Sequence, residues 1–127
     1  MIRWREYNPN PIRGKRVGDC TVRALSKALG KDWETVYAEL SAVGFELCDM
    51  PSANHVWGAY LRRNGFRRQV VDDGGRDVYT VADFCRDNPD GTFVLAIPGH
   101  VVCVSDGLYW DTWDSGEEIP EYYWERT

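Results

Sequence analysis

The chain has 127 residues, of which 43% are hydrophobic and 28% are charged, and its formal net charge is −5. These values are typical of one globular domain with a single core, and they exclude a disordered or low-complexity chain. The acidic balance argues against general nucleic-acid binding. No apolar run reaches the length of a membrane span and the first residues do not have the pattern of a signal peptide, so we expect a cytoplasmic protein that does not bind membranes.

The N-terminal part of the chain predicts an arm followed by a helix. Residues 1–18 contain prolines and glycines that disfavour regular structure, so we expect an irregular arm there. Asp19 is predicted to cap a helix that starts at Cys20 and stops at Gly30, because apolar residues recur between them at helical spacing. Cys20 is therefore expected in the first turn of a helix.

Further helices and then strands follow along the chain. A second helix is predicted from Trp33 to Val43 with Gly44 as its stop, a third after Ser52, and a short fourth after Thr80. The β-rich runs are FRRQVV, TFVLAI, HVVCVS and LYWDTW. This order predicts an α+β fold in which N-terminal helices pack on a C-terminal antiparallel sheet.

The last two β-rich runs bring a histidine close to a carboxylate. Asp106 and Gly107 are a strong signal for a two-residue hairpin loop, and counting outward from that loop places His100 opposite Trp113. Because side chains alternate between the two faces of a strand, Asp111 is the diagonal neighbour of His100 on the same face. The hairpin therefore predicts a His100–Asp111 pair.

Cys20 is the candidate nucleophile that such a pair would serve. A helix N-terminus presents unpaired N–H groups and a positive dipole end, both of which favour a thiolate. A carboxylate beside a histidine favours the protonated imidazole, and the positive charge of that ring further stabilises a nearby thiolate. The adjacent Asp19 would raise the thiol pKa, unless its charge is directed to the backbone N–H groups as a helix cap.

The other cysteines and a possible metal site offer alternatives to this interpretation. The chain contains no C-x-x-C motif, and without an export signal we expect free thiols, with Cys85 and Cys103 in the core. A zinc site made by Cys20, His55, His100 and Asp111 would have no local ligand spacing. We therefore expect neither a metal nor a cofactor.

Four stretches carry a resemblance over nearly the whole chain: VGDCTVRALSKAL, CDMPSANHVWGAYLRRNGF, YTVADFCRDNPDGTFVLA and GHVVCVSDGLYWDTWDSG. They resemble a family of small proteins of bacteriophages and Firmicute prophages. The first and last stretches also resemble papain-like cysteine peptidase domains, distantly similar to bacteriocin-processing peptidases. The resemblance implies one papain-like domain over residues 1–127, with Cys20 as nucleophile, His100 as general base and acid, and Asp111 as the residue that orients the histidine.

Papain-like domains usually place a glutamine several residues before the cysteine, where it completes the oxyanion hole. This sequence has no glutamine there. Asn8, Asn10 or Lys15 of the arm are the candidates to replace it, and Asp19 and Trp113 complete the set of expected oxyanion and substrate contacts.

Two functions from different classes follow from these features. The first is a papain-like cysteine hydrolase that acts on a peptide or protein substrate through an acyl-thioester. The second is a catalytically inactive domain of the same fold that serves a phage as an accessory binding protein. Acyl transfer to an amine would use the same three residues as hydrolysis. The sequence leaves the substrate and the oligomeric state open.

Overall fold

A computed structural model describes residues 1–12, 14 and 17–127 of the chain. Within these residues the fold contains four helices and one six-stranded sheet. The elements in chain order are β1 Trp4–Glu6, α1 Cys20–Leu29, α2 Trp33–Leu47, α3 Asn54–Arg63, β2 Phe66–Val70, α4 Val81–Asp87, β3 Thr92–Ile97, β4 His100–Ser105, β5 Leu108–Asp111 and β6 Tyr122–Arg126.

The sheet has the strand order β1-β5-β4-β3-β6-β2, and its strands are antiparallel except for the parallel pair of β1 with β5. The predicted α+β class with an antiparallel sheet is therefore confirmed. Two strands were not predicted. Strand β1 lies within residues 1–18, which were expected to be irregular, and β6 joins β3 to β2. Both short strands depend on a partner strand that lies far away in sequence.

The second helix runs to Leu47 and does not stop before Gly44 as the sequence predicted. Gly44 lies inside the helix at a point where a Cβ atom would stand 2.7 Å from the carbonyl oxygen of Asp49. The helix ends instead at Cys48, which has a left-handed φ of 56° and whose N–H donates to the carbonyl oxygens of Gly44 and Phe45. This glycine is needed for a close return of the chain, not for ending the helix.

The β4–β5 hairpin has the predicted register. Ser105 pairs with Leu108 across a two-residue loop, and the last pair of this ladder is Cys103 with Trp110. Both loop residues have positive φ angles, 55° for Asp106 and 73° for Gly107, as a primed hairpin turn requires. The hairpin is thus determined by its own loop.

Two apolar cores lie on opposite faces of the sheet. On one face α1, α2 and α3 pack against alternate residues of β3 and β4, among them Val94, Val101 and Cys103. On the other face α4 packs with the intervening residues, such as Leu95 and Val102. The N-terminal helices therefore pack on the sheet as predicted, and α4 covers its opposite face. The start of α1 lies beside the start of β4.

Candidate active site

His100 and Asp111 form a close pair at the ends of neighbouring strands. His100 is the first residue of β4 and Asp111 is the last residue of β5. The Nε2 atom of the imidazole lies 2.6 Å from Oδ2 of the carboxylate, and both side chains are largely buried. The predicted diagonal contact between His100 and Asp111 is therefore present. Because it uses Nε2 of the imidazole, the ring nitrogen that remains for another partner is Nδ1.

The carboxylate of Asp111 is held by several donors. Its Oδ2 also accepts a hydrogen bond from the Ser115 hydroxyl at 2.7 Å, while its Oδ1 accepts one from the Thr112 backbone N–H at 2.8 Å. The Arg23 Nη2 atom lies 3.5 Å from the same Oδ1. Asp111 is only 2% exposed. Its plane is therefore fixed from several directions, so Oδ2 faces the imidazole.

Sequence reasoning missed Ser115 and Arg23. Ser115 follows the hairpin in a segment without regular structure, and no local pattern shows that its hydroxyl turns back to Asp111. Arg23 left no signal either, because α1 also carries Lys27 and other polar residues, so an arginine in this helix is equally compatible with a solvent-exposed position.

Cys20 is the first residue of α1, and His100 is near enough to lower the pKa of its thiol. Burial raises the pKa of the thiol, but hydrogen bonds from His100 and from the Val101 backbone N–H, with the charges of His100 and Arg23, lower it below the ordinary value. Burial also opposes the charge on His100, yet its bonds to Asp111 and Cys20 raise its pKa to about 9. Each group therefore favours the charged form of the other, a thiolate beside an imidazolium.

Asp19 stands at the predicted cap position but does not cap the helix with its side chain. Its carboxylate is instead paired with the Arg23 guanidinium and accepts hydrogen bonds from Trp33 Nε1 at 3.0 Å and Asn10 Nδ2 at 3.2 Å. The prediction that backbone N–H groups of the helix neutralise the Asp19 charge is wrong, because three side-chain donors bind its carboxylate. Its charge is balanced by Arg23 instead.

The arm residues proposed for an oxyanion hole have different positions. Asn10 is buried against the start of α1, where its Oδ1 accepts the Ile12 N–H and its Nδ2 binds Asp19. Asn8 supports it, because its Oδ1 accepts the Asn10 N–H at 3.2 Å. Lys15 lies outside the described residues. Of the two described candidates, Asn10 is the one that the structure brings to the residue before Cys20.

Trp113 lies against the imidazole. The two ring centroids are 4.8 Å apart with an angle of 47° between the planes, and Trp113 remains 43% exposed. The indole therefore separates the His100–Asp111 pair from solvent on one side. A ring in this place strengthens the electrostatic interaction that it covers.

A largely apolar cavity of about 410 Å³ opens beside the residues that flank Cys20. Its walls come from the arm, from the start of α1, from α2 and from the loop that follows α2. The residues that line it include Ile12, Asp19, Val22, Trp33, Tyr37, Leu40 and Pro51. The nucleophile candidate thus stands next to a concave apolar surface of a size that can take a bulky side chain.

The remaining cysteines and His55 lie apart from this site. Burial raises the pKa values of the Cys85 and Cys103 thiols to about 12, whereas Cys48 is exposed. His55 is an exposed residue that pairs with Asp49 at 2.6 Å. Within the described part of the chain, no three His, Cys, Asp or Glu side chains come together as a metal site would require.

None of the helices in residues 1–12, 14 and 17–127 is both long and apolar enough to cross a membrane. Comparison with protein-family models, with curated proteins and with solved structures finds no match to this chain.

Proposed function

We propose that the protein is a papain-like cysteine hydrolase of peptide or related amide bonds, of the phage and prophage type that its sequence resembles. The observation that carries the proposal is the buried His100–Asp111 pair, whose imidazole acts with the Val101 backbone N–H and Arg23 to lower the pKa of the Cys20 thiol. A lowered thiol pKa and a raised imidazole pKa are what a nucleophilic cysteine requires.

The three residues have complementary roles in the proposed reaction. The Cys20 thiolate attacks the carbonyl carbon, and a carbon–sulfur bond forms as the carbonyl becomes an oxyanion. The imidazolium of His100 then gives its proton to the leaving amine, and the carbon–nitrogen bond breaks. Neutral His100 next takes a proton from water as the water oxygen attacks the thioester; the carbon–sulfur bond breaks, the acid leaves, and Cys20 is again a thiolate beside the imidazolium. Asp111 holds the ring in the orientation that both transfers need.

An oxyanion would need hydrogen-bond donors near Cys20. The backbone N–H of the first residue of a helix has no partner inside the helix, which makes the Cys20 N–H one candidate donor. The Asn10 side chain is the second, because its amide group lies at Asp19 and has a further N–H beyond the one that binds this carboxylate. Asn10 would then replace the glutamine that papain-like domains usually carry.

A specific observation also supports the second candidate, a binding domain without catalysis. The cavity beside Cys20 is largely apolar, and Ile12 and Tyr37 at its wall are substantially exposed. Exposed apolar groups around a cavity are typical of a surface that binds another chain. This alternative uses the cavity, which is lined by the neighbours of Cys20 and not by Cys20 itself, whereas the hydrolase requires a reactive Cys20 thiol.

Thiol labelling separates the two functions. We expect iodoacetamide at pH 6 to modify Cys20 at least tenfold faster than the exposed Cys48, with the site assigned by mass spectrometry, since a lowered pKa increases the thiolate fraction. The variant His100→Ala is expected to lose this advantage, whereas His55→Ala keeps it. A panel of fluorogenic peptide amides then tests hydrolysis, with Cys20→Ala as the inactive control. Labelling of Cys20 no faster than Cys48 would exclude the hydrolase and leave the binding domain.

A further inference from the structure

Arg23 occupies an unusual place for an arginine. It lies on α1 one turn after Cys20, and the whole residue is only 8% exposed. Its Nη1 is paired with Oδ1 of Asp19, and its Nη2 lies 3.5 Å from Oδ1 of Asp111. One guanidinium thus pairs with both Asp19, which precedes Cys20 in the chain, and Asp111, the acid bound to His100.

The charges around Cys20 explain why a cation is needed there. Asp19 and Asp111 are both nearly buried, and the proposed reaction adds a third negative charge on the Cys20 sulfur. Among residues 1–12, 14 and 17–127, Arg23 is the one cation besides His100 that is paired with either carboxylate. Buried negative charges without compensation are strongly unfavourable, so the thiolate depends on this balance.

The contacts also divide the two oxygens of Asp111 between different partners. Oδ2 binds His100 and Ser115, whereas Oδ1 binds Arg23 and the Thr112 N–H. Arg23 and Cys20 belong to the same helix, while Asp111 belongs to a strand. The guanidinium therefore connects the helix of the nucleophile to the strand of the orienting acid.

We propose that Arg23 is a positioning residue of the site: by bridging Asp19 and Asp111, it fixes α1 against β5 and compensates the carboxylates that surround the Cys20–His100 pair. This inference rests on the proposed hydrolase function. Arginine suits the role because its planar group offers donors in a fixed fork, so one side chain can bind two carboxylates. Lysine carries the same charge on one atom and is expected to hold only one of them.

The test is the pH dependence of Cys20 alkylation in Arg23→Lys and Arg23→Met, compared with wild type. The charged groups that act on the Cys20 thiol are His100 and Arg23 itself, and the carboxylates paired with these two groups are Asp111 and Asp19. Because loss of the cation disfavours the thiolate, we expect the midpoint of the alkylation profile to rise by about one pH unit in Arg23→Met. Arg23→Lys should lie between this variant and wild type.

Two further variants keep the test decisive. Arg63→Met removes an exposed arginine that pairs with Glu46, and it should leave the profile unchanged. The double variant Asp19→Asn/Arg23→Met removes both members of the Asp19–Arg23 pair, so it remains informative if Arg23→Met alone does not fold. We expect its midpoint to stay above that of wild type, because Asp111 still lacks its partner.

The outcomes distinguish this inference from the proposed function. If wild-type Cys20 reacts no faster than Cys48, both the hydrolase proposal and the proposed role of Arg23 are overturned. If wild-type Cys20 is reactive and folded Arg23→Met has the same profile, only the role of Arg23 is overturned. A double variant that recovers the wild-type profile would likewise overturn the bridge, since Arg23 would then act through Asp19 alone.

Discussion

The Nε2 atom of His100 lies 2.6 Å from Oδ2 of Asp111, although the ladder between their strands ends one residue before the aspartate. Asp111 instead pairs with Glu6 of β1. The contact therefore does not depend on backbone pairing between the two residues. It depends on the hairpin loop that sets their register and on the donors that hold the carboxylate.

The first prediction concerns Asp111→Asn. Because the bond to this carboxylate is a main cause of the raised His100 pKa, its removal should lower that pKa from about 9 toward the ordinary range. A less basic imidazole stabilises the thiolate less, and we expect Cys20 alkylation at pH 6 to slow about tenfold, the equivalent of one pKa unit.

The matched control is Asp49→Asn. Asp49 also lies 2.6 Å from a histidine, His55, but that pair is exposed and is not part of the Cys20 site. This variant should alkylate at the wild-type rate. Equal rates in both variants and wild type would show that Asp111 does not support the thiolate.

The second prediction concerns the pH dependence of stability. In a Cys20→Ala background the His100–Asp111 pair remains without the thiol. A histidine whose folded pKa is raised contributes stability that is fully present below its ordinary value of 6.5 and is lost as the pH rises through the folded pKa. We expect His100→Gln in this background to cost about 1 kcal/mol more at pH 5.5 than at pH 9.5, the order of one pKa unit.

Urea unfolding at the two pH values measures this difference. The variant His55→Gln in the same background serves as the control, because it removes an exposed histidine and leaves the buried pair intact. A cost of His100→Gln that grows with pH has the wrong sign for a stabilised imidazolium and would contradict the prediction.

The third prediction concerns the ring that covers the pair. Trp113→Ala should admit water to His100 and weaken its interaction with Asp111, while Trp113→Phe should preserve most of the effect. An aromatic contact of this kind contributes roughly 1 kcal/mol, so we expect about a fivefold slower Cys20 alkylation in Trp113→Ala. Unchanged rates in the alanine variant would show that the indole does not protect the pair.

The fourth prediction concerns packing below α3. A Cβ atom on Gly58 would stand 2.9 Å from Cζ2 of the buried Trp124. Alanine favours helices over glycine by about 1 kcal/mol, but overpacking costs about 1–3 kcal/mol, so Gly58→Ala should be destabilising or neutral in urea unfolding. Trp124→Phe removes the clashing ring atoms, and in that background Gly58→Ala should become stabilising. A Gly58→Ala cost that is the same in both backgrounds would exclude this clash.

The sequence by itself determined the local features of this protein. The Asp106–Gly107 loop admits one common hairpin register, so the proximity of His100 and Asp111 could be derived by counting residues. The helical spacing after residue 19 likewise put Cys20 at a helix start. These features depend on interactions between residues that are close in the chain, and their geometry follows from backbone periods and turn types.

Only the tertiary structure decided how these parts meet. By alternation His100 belongs to the α4 face of the sheet, whereas Cys20 begins a helix on the opposite face, yet His100 lies near enough at the start of β4 to lower the pKa of the Cys20 thiol. In the same packing the Asp19 carboxylate binds Arg23 and Trp33, and therefore does not cap α1. Residue spacing in the sequence cannot predict these hydrogen-bond partners. Several donors compete for each buried carboxylate, and which of them binds it depends on how α1 lies against the sheet.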